Sequence, residues 1–330
     1  MLEAAETYSI PAMSTFEFVS RPCCDLCGNE TKEPFACINW KNVRFFYVIC
    51  SYCGLVYTDP VPTQESYLRF YKTDFWAIKD GRIEDWQGKK RSDSSQHSIS
   101  YQRKSRIPRV DAMVGELLRP DSKVLEVGCG YGETLAYLHE RYGAIVYAVE
   151  PSDSAKEHID KTHPYIQTIA RSAEELFNNH DFNGVFDVII LSHCLENILD
   201  VNQALATMRR ILADDGHLYV DTPNLYWSGG MNPYHPVVFT PDTLGGFLTK
   251  HGFEIVQLDA ARNPANLITD SLRSRKRWFN LLAVKGENKA QPTRTNVAEV
   301  RQAFRVSRKV LALQSRMRRF KQAVARQVRV

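Results

Sequence analysis

The chain has 330 residues, of which 44% are hydrophobic and 24% charged, and its formal net charge at pH 7 is +4. This composition is typical of a globular protein, and the length is sufficient for one full domain with additional modules. The sequence contains no run of about 18 apolar residues, which argues against a transmembrane helix. It also lacks a basic start followed by an apolar stretch, so we expect no signal peptide and a cytoplasmic protein.

Six of the eight cysteines lie within residues 23–53, and four of these six form two C-x-x-C-G knuckles. Each knuckle can direct two thiolates at one ion, and two knuckles complete the tetrahedral set of four sulfur ligands that zinc prefers. A closed set leaves no open coordination position, so we predict one structural zinc ion rather than a catalytic one. Two matched copies without a thioredoxin-like context argue against a redox role. The predicted metal ligands are Cys24, Cys27, Cys50 and Cys53.

Residues 106–285 alternate short apolar runs with helical patterns, which predicts a doubly wound, Rossmann-like α/β fold with a seven-stranded sheet. Helices are predicted between most of the strands, for example over 133–142 and 203–212. The predicted strands are Lys123–Val127, Ile145–Val149, Tyr165–Ile169, Phe186–Leu191, His217–Asp221, Phe253–Leu258 and Phe279–Val284.

A glycine loop follows the first of these strands, with the sequence Gly128-Cys129-Gly130-Tyr131-Gly132. Glycine permits positive φ angles and a close approach of the backbone to a ligand, and the following helix offers unpaired N–H groups. The G-x-G-x-G spacing differs from the G-x-G-x-x-G of dinucleotide-binding proteins. Glu126 precedes the loop, where a carboxylate would repel a pyrophosphate but suits the cationic aminoacyl end of S-adenosylmethionine (SAM).

Acidic residues also follow the next two strands. Glu150 ends the second strand, where a carboxylate can accept hydrogen bonds from both hydroxyls of a ribose. Ala173 and Glu174 follow the third strand, where a small residue and an acid can flank an adenine ring. Alternatively, Glu150 is only a solvated residue at the end of a strand. Glu174 is alternatively an acid at a helix N-terminus, where the helix dipole favours a negative charge.

Five segments carry a resemblance to class I SAM-dependent methyltransferases: VLEVGCGYG, VYAVEPS, FDVIILSHCLENILD, HLYVDTPN and VVFTPDTLGGFLTKHGFEIVQL. They occur in the order and spacing of that family over residues 106–285. The resemblance implies that SAM is the cofactor. The cofactor-binding residues that it implies are Glu126, Gly128, Cys129, Gly130, Gly132, Glu150, Ala173, Glu174 and Ser192.

The cysteine module and the segments 54–60 and 70–76 resemble the N-terminal zinc ribbons that precede the methyltransferase domain in bacterial enzymes, including sugar C-methyltransferases. That resemblance implies that the module helps to cover the active site, with Tyr71, Phe75 and Trp76 in a substrate lid or in the core. Sugar C-methyltransferases carry a further C-terminal domain, whereas a basic tail follows here.

Two histidines are candidates for a general base. In many small-molecule methyltransferases the fourth strand exits through a Leu-Glu-His segment, but Asn197 stands at the histidine position here, and His193 lies four residues earlier. His235 follows the fifth strand on a loop near Tyr226 and Tyr234, where substrate would enter. Both histidines have an alternative as residues without catalytic duty, because methyl transfer depends strongly on alignment and needs a base only for a poorly ionised acceptor.

The C-terminal 45 residues concentrate the positive charge. Residues 286–330 carry a charge of +10, whereas the rest of the chain carries −6. Apolar residues recur in this tail at spacings typical of one face of a helix, and the other faces are cationic. Such a helix can pack on its own domain, on a second copy of the chain or on an anionic membrane surface. No aromatic platform accompanies the charge, which disfavours nucleic acid as a partner.

The sequence therefore predicts five segments and a methyltransferase. The enzyme would transfer a methyl group from SAM to oxygen or carbon of a small-molecule acceptor, a sugar derivative or another biosynthetic intermediate. The alternative is a regulatory nucleic-acid-binding protein built on a degenerate methyltransferase domain with a zinc ribbon. The segments are an irregular leader (1–20), a zinc-ribbon module (21–75), a polar linker with helical character (76–105), the methyltransferase domain (106–285) and the basic helical tail (286–330).

Overall fold

A computed structural model describes residues 7–8, 16–40, 43–79, 84–85, 99–228, 231–259, 278–287, 292–306 and 308–309. Most of the predicted leader, the middle of the predicted linker and the predicted tail beyond residue 309 lie outside this set. Within the described ranges, none of the helices combines the length and the hydrophobicity that a membrane-spanning helix requires.

The N-terminal part of the chain consists of short strands followed by one long helix. Strands β3 and β4 form a hairpin to which β5 is added, and β1, β2 and β6 form a separate three-stranded sheet. The elements are β1 (Thr7–Tyr8), β2 (Phe16–Val19), β3 (Lys32–Trp40), β4 (Val43–Cys50), β5 (Val56–Thr58), β6 (Val61–Pro62) and α1 (Gln64–Lys79).

The α/β part begins with a π-helical turn, Gln102–Arg106, that leads directly into a helix. The elements after it are α2 (Ile107–Val114), β7 (Lys123–Val127), α3 (Glu133–Tyr142), β8 (Ile145–Val149), α4 (Asp153–Thr162), β9 (Gln167–Ala170), β10 (Phe186–Ser192), α5 (Val201–Ile211), β11 (Leu212–Pro223), α6 (Leu225–Ser228), β12 (Val237–Val238), α7 (Pro241–Lys250), β13 (Phe253–Asp259), β14 (Trp278–Lys285) and a final helix α8 (297–306).

The large sheet has seven strands in the order β13-β14-β11-β10-β7-β8-β9. All neighbours pair in parallel except β14, which is antiparallel to both β11 and β13. Successive buried residues of a strand enter different core clusters, because side chains alternate between the faces of a sheet. Leu125 and Ile189 join the core that contains α5 and α7, whereas Val124 and Ile190 join the core that contains α2 and α3. The predicted doubly wound α/β fold is confirmed.

Two predicted boundaries differ from the structure around the fifth strand. Helix α5 begins at Val201, two residues before its predicted start, because the Asp200 carboxylate accepts a hydrogen bond from the Gln203 amide and caps the helix,. Strand β11 begins at Leu212, where α5 ends, and so includes the Asp-Asp-Gly stretch that reads as a turn in the sequence. This early segment pairs with β10 at Phe186, with a register shift before Val188.

The N-terminal sheet is completed by a strand from the α/β part. Strand β12 pairs antiparallel with β5, with Val237 opposite Tyr57 and Val238 opposite Val56. The four-stranded sheet therefore has the order β12-β5-β4-β3. Nothing in the sequence pattern indicated this pairing, because a two-residue strand after a proline carries no readable alternation.

Helix α8 returns to the same N-terminal sheet. Its residues Val300 and Ala303 are buried in the aromatic core around Trp40 and Phe70. The Arg301 guanidinium lies 3.0 Å from Glu33 Oε2 and donates to the Pro34 carbonyl. The first part of the basic tail thus packs on its own chain, and the partner predicted for the tail as a whole stays a prediction.

Candidate active site

The glycine loop has the backbone that its sequence requires. Gly128, Gly130 and Gly132 have φ angles of 75°, 60° and 78°, in the region that side-chain-bearing residues rarely adopt,. The Gly128 amide donates to the Val149 carbonyl at 2.8 Å, which fixes the loop against β8. Gly132 precedes α3 without a capping side chain, so amides of the first turn of this helix remain available to a ligand,.

Glu150 braces the loop as well as ending β8. Its Oε2 accepts a hydrogen bond from the Gly130 amide at 2.8 Å, and its Oε1 accepts one from the Ser152 amide at 2.9 Å. Burial raises the pKa of Glu150, and the two amide donors partly offset that rise,. The sequence predicted a ribose-binding carboxylate here and did not reveal its contact with the loop.

Glu126 is fully buried at the end of β7. Among the described residues, neither of its carboxylate oxygens accepts a hydrogen bond, and Arg106 Nη1 lies 3.5 Å from Oε1. Burial raises the pKa of Glu126 to about 8, against the opposing effect of the Arg106 charge,. A buried acid with unfilled acceptor positions suits a cationic ligand group, because such a group would both fill those positions and favour the carboxylate.

The π-helical turn before α2 covers the glycine loop. Gln102 Nε2 donates to the Cys129 carbonyl at 3.2 Å, and Arg103 Nε donates to Glu133 Oε2 at 2.6 Å. Arg106, from the same turn, faces Glu126. A π-helical turn is rare and is often found at functional sites. Gln102 and Arg103 lie in the segment predicted as a linker, and no motif in it indicated these contacts.

The remaining predicted cofactor residues lie along the same edge of the sheet. Cys129 is buried, and burial raises the pKa of its thiol well above the usual value. Ala173 is buried just before the short 3-10 turn Glu174–Leu176, and Glu174 is half-buried. Ser192 ends β10, and its hydroxyl donates to Asp221 Oδ2 at 3.2 Å. None of these positions contradicts a role in binding a cofactor.

Asp221, on β11, is a buried carboxylate that sequence reasoning did not single out. Its Oδ2 lies 2.8 Å from Arg109 Nη2, and the Asp221 side chain is fully buried. The carbonyl of the same residue accepts a hydrogen bond from the His193 amide at 2.7 Å. Asp221 thus connects the ends of β10 and β11. Its only sequence signal was its place within the HLYVDTPN segment.

The two candidate bases lie on either side of Glu196, which is fully buried. His193 Nδ1 lies 3.5 Å from Glu196 Oε1, and His235 Nε2 lies 4.0 Å from the same oxygen. The Thr222 hydroxyl donates to the other oxygen at 3.0 Å. Burial raises the pKa of Glu196, but the adjacent His193 and His235 side chains outweigh that effect, so the net pKa is lowered. The structure therefore brings His193 and His235 together around one carboxylate.

His193 has an unusual backbone conformation, with a φ angle of 52°. Such a conformation is uncommon outside glycine and is concentrated at functional sites, where the surrounding structure must hold it. Asn197 supplies part of that support, because its Nδ2 donates to the His193 carbonyl at 2.8 Å. The residue that replaces the family's histidine is thus a support for the histidine four positions earlier.

Helix α1 closes the other side of this cluster. The Tyr71 hydroxyl donates to Asn197 Oδ1 at 2.8 Å, and to the Tyr234 carbonyl at 3.3 Å. The Phe75 ring lies 5.8 Å from the Tyr234 ring, and the Tyr47 hydroxyl donates to the His235 carbonyl at 3.0 Å. The N-terminal module therefore directly contacts the loop that carries Tyr234 and His235, which we call the histidine loop. The side chain of Trp227, on the predicted substrate loop, and that of Trp76, in the predicted lid, lie outside the described residues.

The four predicted metal ligands form one cluster. Cys24 Sγ lies 3.5 Å from Cys53 Sγ, and Cys27 Sγ lies 3.5 Å from Cys50 Sγ. All four sulfur atoms lie within 4.8 Å of one another. A zinc ion with bonds of about 2.3 Å places its four sulfur ligands about 3.8 Å apart, so the cluster fits a zinc ion with small adjustments.

Both knuckles have the turn that their glycines predict. The Gly28 amide donates to the Cys24 carbonyl, and the Gly54 amide donates to the Cys50 carbonyl. The φ angles of Gly28 and Gly54 are 75° and 74°, which a residue with a Cβ rarely adopts,. The repeated turn directs each pair of thiols to the same side.

Comparison with known proteins identifies the central part of the chain. Residues 99–258 match the family model of a methyltransferase domain. The chain is 34% identical over 109 residues to a ubiquinone biosynthesis O-methyltransferase of Bradyrhizobium diazoefficiens, a match that covers 32% of this chain and 41% of that protein. Residues 99–258 form a SAM-dependent methyltransferase domain. The glycine loop, Glu126, Glu150 and both histidines all belong to this domain.

Two further likenesses extend the comparison. The chain is 29% identical over 164 residues to a probable S-adenosylmethionine-dependent methyltransferase of Mycobacterium tuberculosis, which covers 48% of this chain and 54% of that protein. The chain thus spans about half the length of the curated relatives it matches. The fold is similar to that of a 1,6-didemethyltoxoflavin-N1-methyltransferase of Burkholderia thailandensis, with a TM-score of 0.50, 17% identity, and coverage of 77% of this chain and 100% of that chain.

The raised pKa of Glu126 gives the methyltransferase domain a measurable pH dependence. A carboxyl group that stays protonated in the fold to about pH 8, but ionises near pH 4.5 when unfolded, releases its proton on unfolding within that window,. The free energy of unfolding should therefore fall as the pH rises, by up to about 1.4 kcal/mol per pH unit from this group. Urea unfolding of the cofactor-free protein at pH 5, 6, 7 and 8 should show a flatter profile for Glu126→Gln.

The matched control for this measurement is Glu157→Gln. Glu157 is exposed on α4 and pairs with Lys161, which lowers its pKa, so its carboxylate is ionised in both states across this pH range. Its profile should run parallel to that of the wild-type protein. Equal slopes for wild type and Glu126→Gln would contradict the buried, protonated state of Glu126.

Proposed function

We propose that the protein transfers the methyl group of SAM to oxygen or carbon of a small-molecule acceptor, a sugar derivative or another biosynthetic intermediate. The observation that carries this proposal is the cluster of His193, Glu196 and His235 at the carboxyl edge of a methyltransferase sheet, beside the glycine loop. A glycine loop that binds SAM, without further groups, would also suit a protein that only binds SAM. Two imidazoles around a buried carboxylate, next to the rings of Tyr71, Phe75 and Tyr234, suit a site that also removes a proton from the acceptor.

The chain's own groups match the chemical parts of SAM. Glu126 and the glycine loop would hold the cationic aminoacyl part, Glu150 would accept from the ribose hydroxyls, and Ala173 with Glu174 would border the adenine. SAM supplies an electrophilic methyl group on a sulfonium. A cation bound at Glu126 would favour its ionised form, and Arg106 would then balance the carboxylate from the side of the π-helical turn.

The histidines would serve the acceptor. A neutral imidazole can take a proton from an acceptor hydroxyl or carbon acid while the methyl group moves in line from sulfur to the acceptor. Glu196 would orient that imidazole and stabilise its protonated form, a role for which its buried, hydrogen-bonded position is suited. Asn197 and Tyr71 would fix the backbone of His193. Alignment of donor and acceptor supplies much of the rate in such a displacement.

The zinc ribbon would act through structure rather than chemistry. Four thiolates close the coordination sphere, so the ion would hold the knuckles and, through them, β4 and β5. Strand β12 pairs with β5 and lies two residues after His235. Helix α1, which follows the ribbon strands, presents Tyr71 and Phe75 to the histidine loop. The ribbon thus supports one wall of the acceptor site.

Binding of SAM should depend on the glycine loop. Gly128→Arg adds a side chain at a φ of 75°, with its Cβ 3.3 Å from Cys194 Sγ, so the loop must change conformation and SAM binding should be lost. Gly184→Arg is the matched control, because Gly184 has a φ of 65° but no atom within 4 Å of the position that a Cβ would take. Isothermal titration calorimetry with SAM would measure both. Absence of SAM binding in the wild type, with tight binding of oligonucleotides, would favour the regulatory alternative.

Activity should depend on one of the two histidines. Nucleotide sugars and hydroxylated aromatic compounds, incubated with methyl-labelled SAM, would identify an acceptor by label transfer. With that acceptor, the variant that lacks the base should lose about 10²–10⁴-fold in kcat while its Kd for SAM is unchanged. The variants are His193→Ala and His235→Ala, with the exposed His180→Ala as control. Full activity in both would exclude a histidine base at this site.

Tightly held zinc should follow the knuckle cysteines. After dialysis against a weak chelator, which strips more open sites than a closed set of four thiolates, elemental analysis of the native protein should give one zinc ion per chain. Cys24→Ser or Cys53→Ser should lose this ion together with the ribbon fold, because ligand binding and folding are coupled in such modules. Cys37→Ser is the control, because Cys37 is exposed on β3 outside the cluster. A metal-free native protein, or an equal loss of zinc in Cys37→Ser, would contradict the assignment.

A further inference from the structure

A second group of metal-ligating side chains lies behind the glycine loop, away from the cysteine cluster. Glu133 is the first residue of α3, His158 lies on α4, and His163 directly follows α4. One ligand atom from each lies within 4.8 Å of the other two. The proposed methyl transfer assigns no role to these three residues, and no sequence motif indicated them.

His163 has the orientation of a ligand. Its Nε2 is buried, lies 3.7 Å from Glu133 Oε1 and has no hydrogen-bond partner among the described residues. Its Nδ1 lies 3.3 Å from the Tyr165 hydroxyl, which itself donates to Glu140 Oε1 at 3.5 Å. If the tyrosine proton points to Glu140, the Nδ1 of His163 carries the ring proton, and Nε2 keeps its lone pair toward Glu133.

Glu133 and His158 complete the set from two sides. Glu133 is 5% exposed, and its second oxygen, Oε2, accepts from Arg103 Nε at 2.6 Å, which leaves Oε1 facing His163. The His158 ring packs edge-on against Tyr131 at 5.0 Å and lies 6.1 Å from the His163 ring.

We propose that Glu133, His158 and His163 form a binding site for a divalent first-row transition metal ion such as Zn²⁺, Co²⁺ or Ni²⁺. A set of two imidazoles and one carboxylate favours these ions over Mg²⁺ and Ca²⁺, which prefer oxygen ligands. Water would fill the remaining coordination positions. Bonds of about 2.0–2.2 Å hold ligand atoms within about 4.4 Å of one another, so small side-chain rotations close the cluster on an ion. Arg103 then orients Glu133 from outside the coordination sphere.

The proposal is independent of methyl transfer and of the cysteine cluster. The ion would connect Glu133, at the start of α3, to His158 and His163 near the end of α4. Without an ion, these two helix ends meet here through their side chains. Gly132 itself leaves room for this arrangement, because an added Cβ would lie 2.9 Å from Ile166 Cδ1 and 3.2 Å from Ile159 Cγ1. Close packing of the glycine loop on α4 is therefore what brings Glu133 within reach of both histidines.

Titration of the protein as purified with Co²⁺, followed by calorimetry and by the visible spectrum of the bound ion, tests the site. The wild type should bind one Co²⁺ ion per chain at this cluster, and Glu133→Gln and His163→Ala should each weaken that binding at least about tenfold. The exposed His180→Ala should bind as the wild type does. His158→Gln changes a half-exposed side chain on the surface of α4, so its loss of Co²⁺ with an unchanged circular dichroism spectrum separates ligand removal from unfolding.

Two results would overturn the proposal. The first is a wild-type protein that takes up no Co²⁺ apart from exchange into the cysteine cluster, which zinc release into solution would reveal. The second is equal Co²⁺ affinity in the wild type, His158→Gln and His163→Ala. A change in SAM affinity plays no part in either outcome, so failure of the metal site and failure of the methyltransferase assignment remain distinguishable.

Discussion

Buried carboxylates at the carboxyl edge of the large sheet are the constraint on which the site depends. Glu126, Glu150, Glu196 and Asp221 are all at most 2% exposed, and each is held by a different means. Arg106 faces Glu126, and backbone amides donate to Glu150. Thr222 and two histidines surround Glu196, and Arg109 pairs with Asp221. Buried polar or charged groups without partners are costly, so these partners fix the loops and helices that carry the four side chains.

In the proposed enzyme, this arrangement divides the edge into a half that would hold SAM and a half that would hold the methyl acceptor. Glu126 and Glu150 border the glycine loop, and Glu196 borders the histidines, while the Ser192 hydroxyl donates to Asp221 and connects the ends of β10 and β11. The SAM half contains carboxyl oxygens that could bind a cation, as the sulfonium and ammonium groups of SAM require. The methyl-acceptor half contains two imidazoles beside aromatic rings, which would suit a neutral or weakly acidic small molecule.

The conformation of the glycine loop and the positions of the acids beside it were predictable from the sequence because these features are local. Three glycines need positive φ angles, and the acids lie at strand ends that the apolar pattern already places, so spacing alone locates them. The knuckles are local for the same reason. The contacts of Arg106, Gln102 and Tyr71 join positions far apart in the chain and depend on a π-helical turn and on aromatic packing, neither of which has a periodic signature. Asn197 was read as a departure from its family, whereas its amide supports His193.

The antiparallel pairing of β12 with β5 has a consequence for how cooperatively the molecule unfolds. This pairing places one strand of the four-stranded N-terminal sheet in the same segment as His235. The two modules therefore share a cooperative unit rather than a hinge, and loss of order in one should propagate to the other instead of leaving it intact. Folding of the knuckles then also stabilises the histidine loop. An N-terminal module transferred without β12 would lack one strand of its four-stranded sheet.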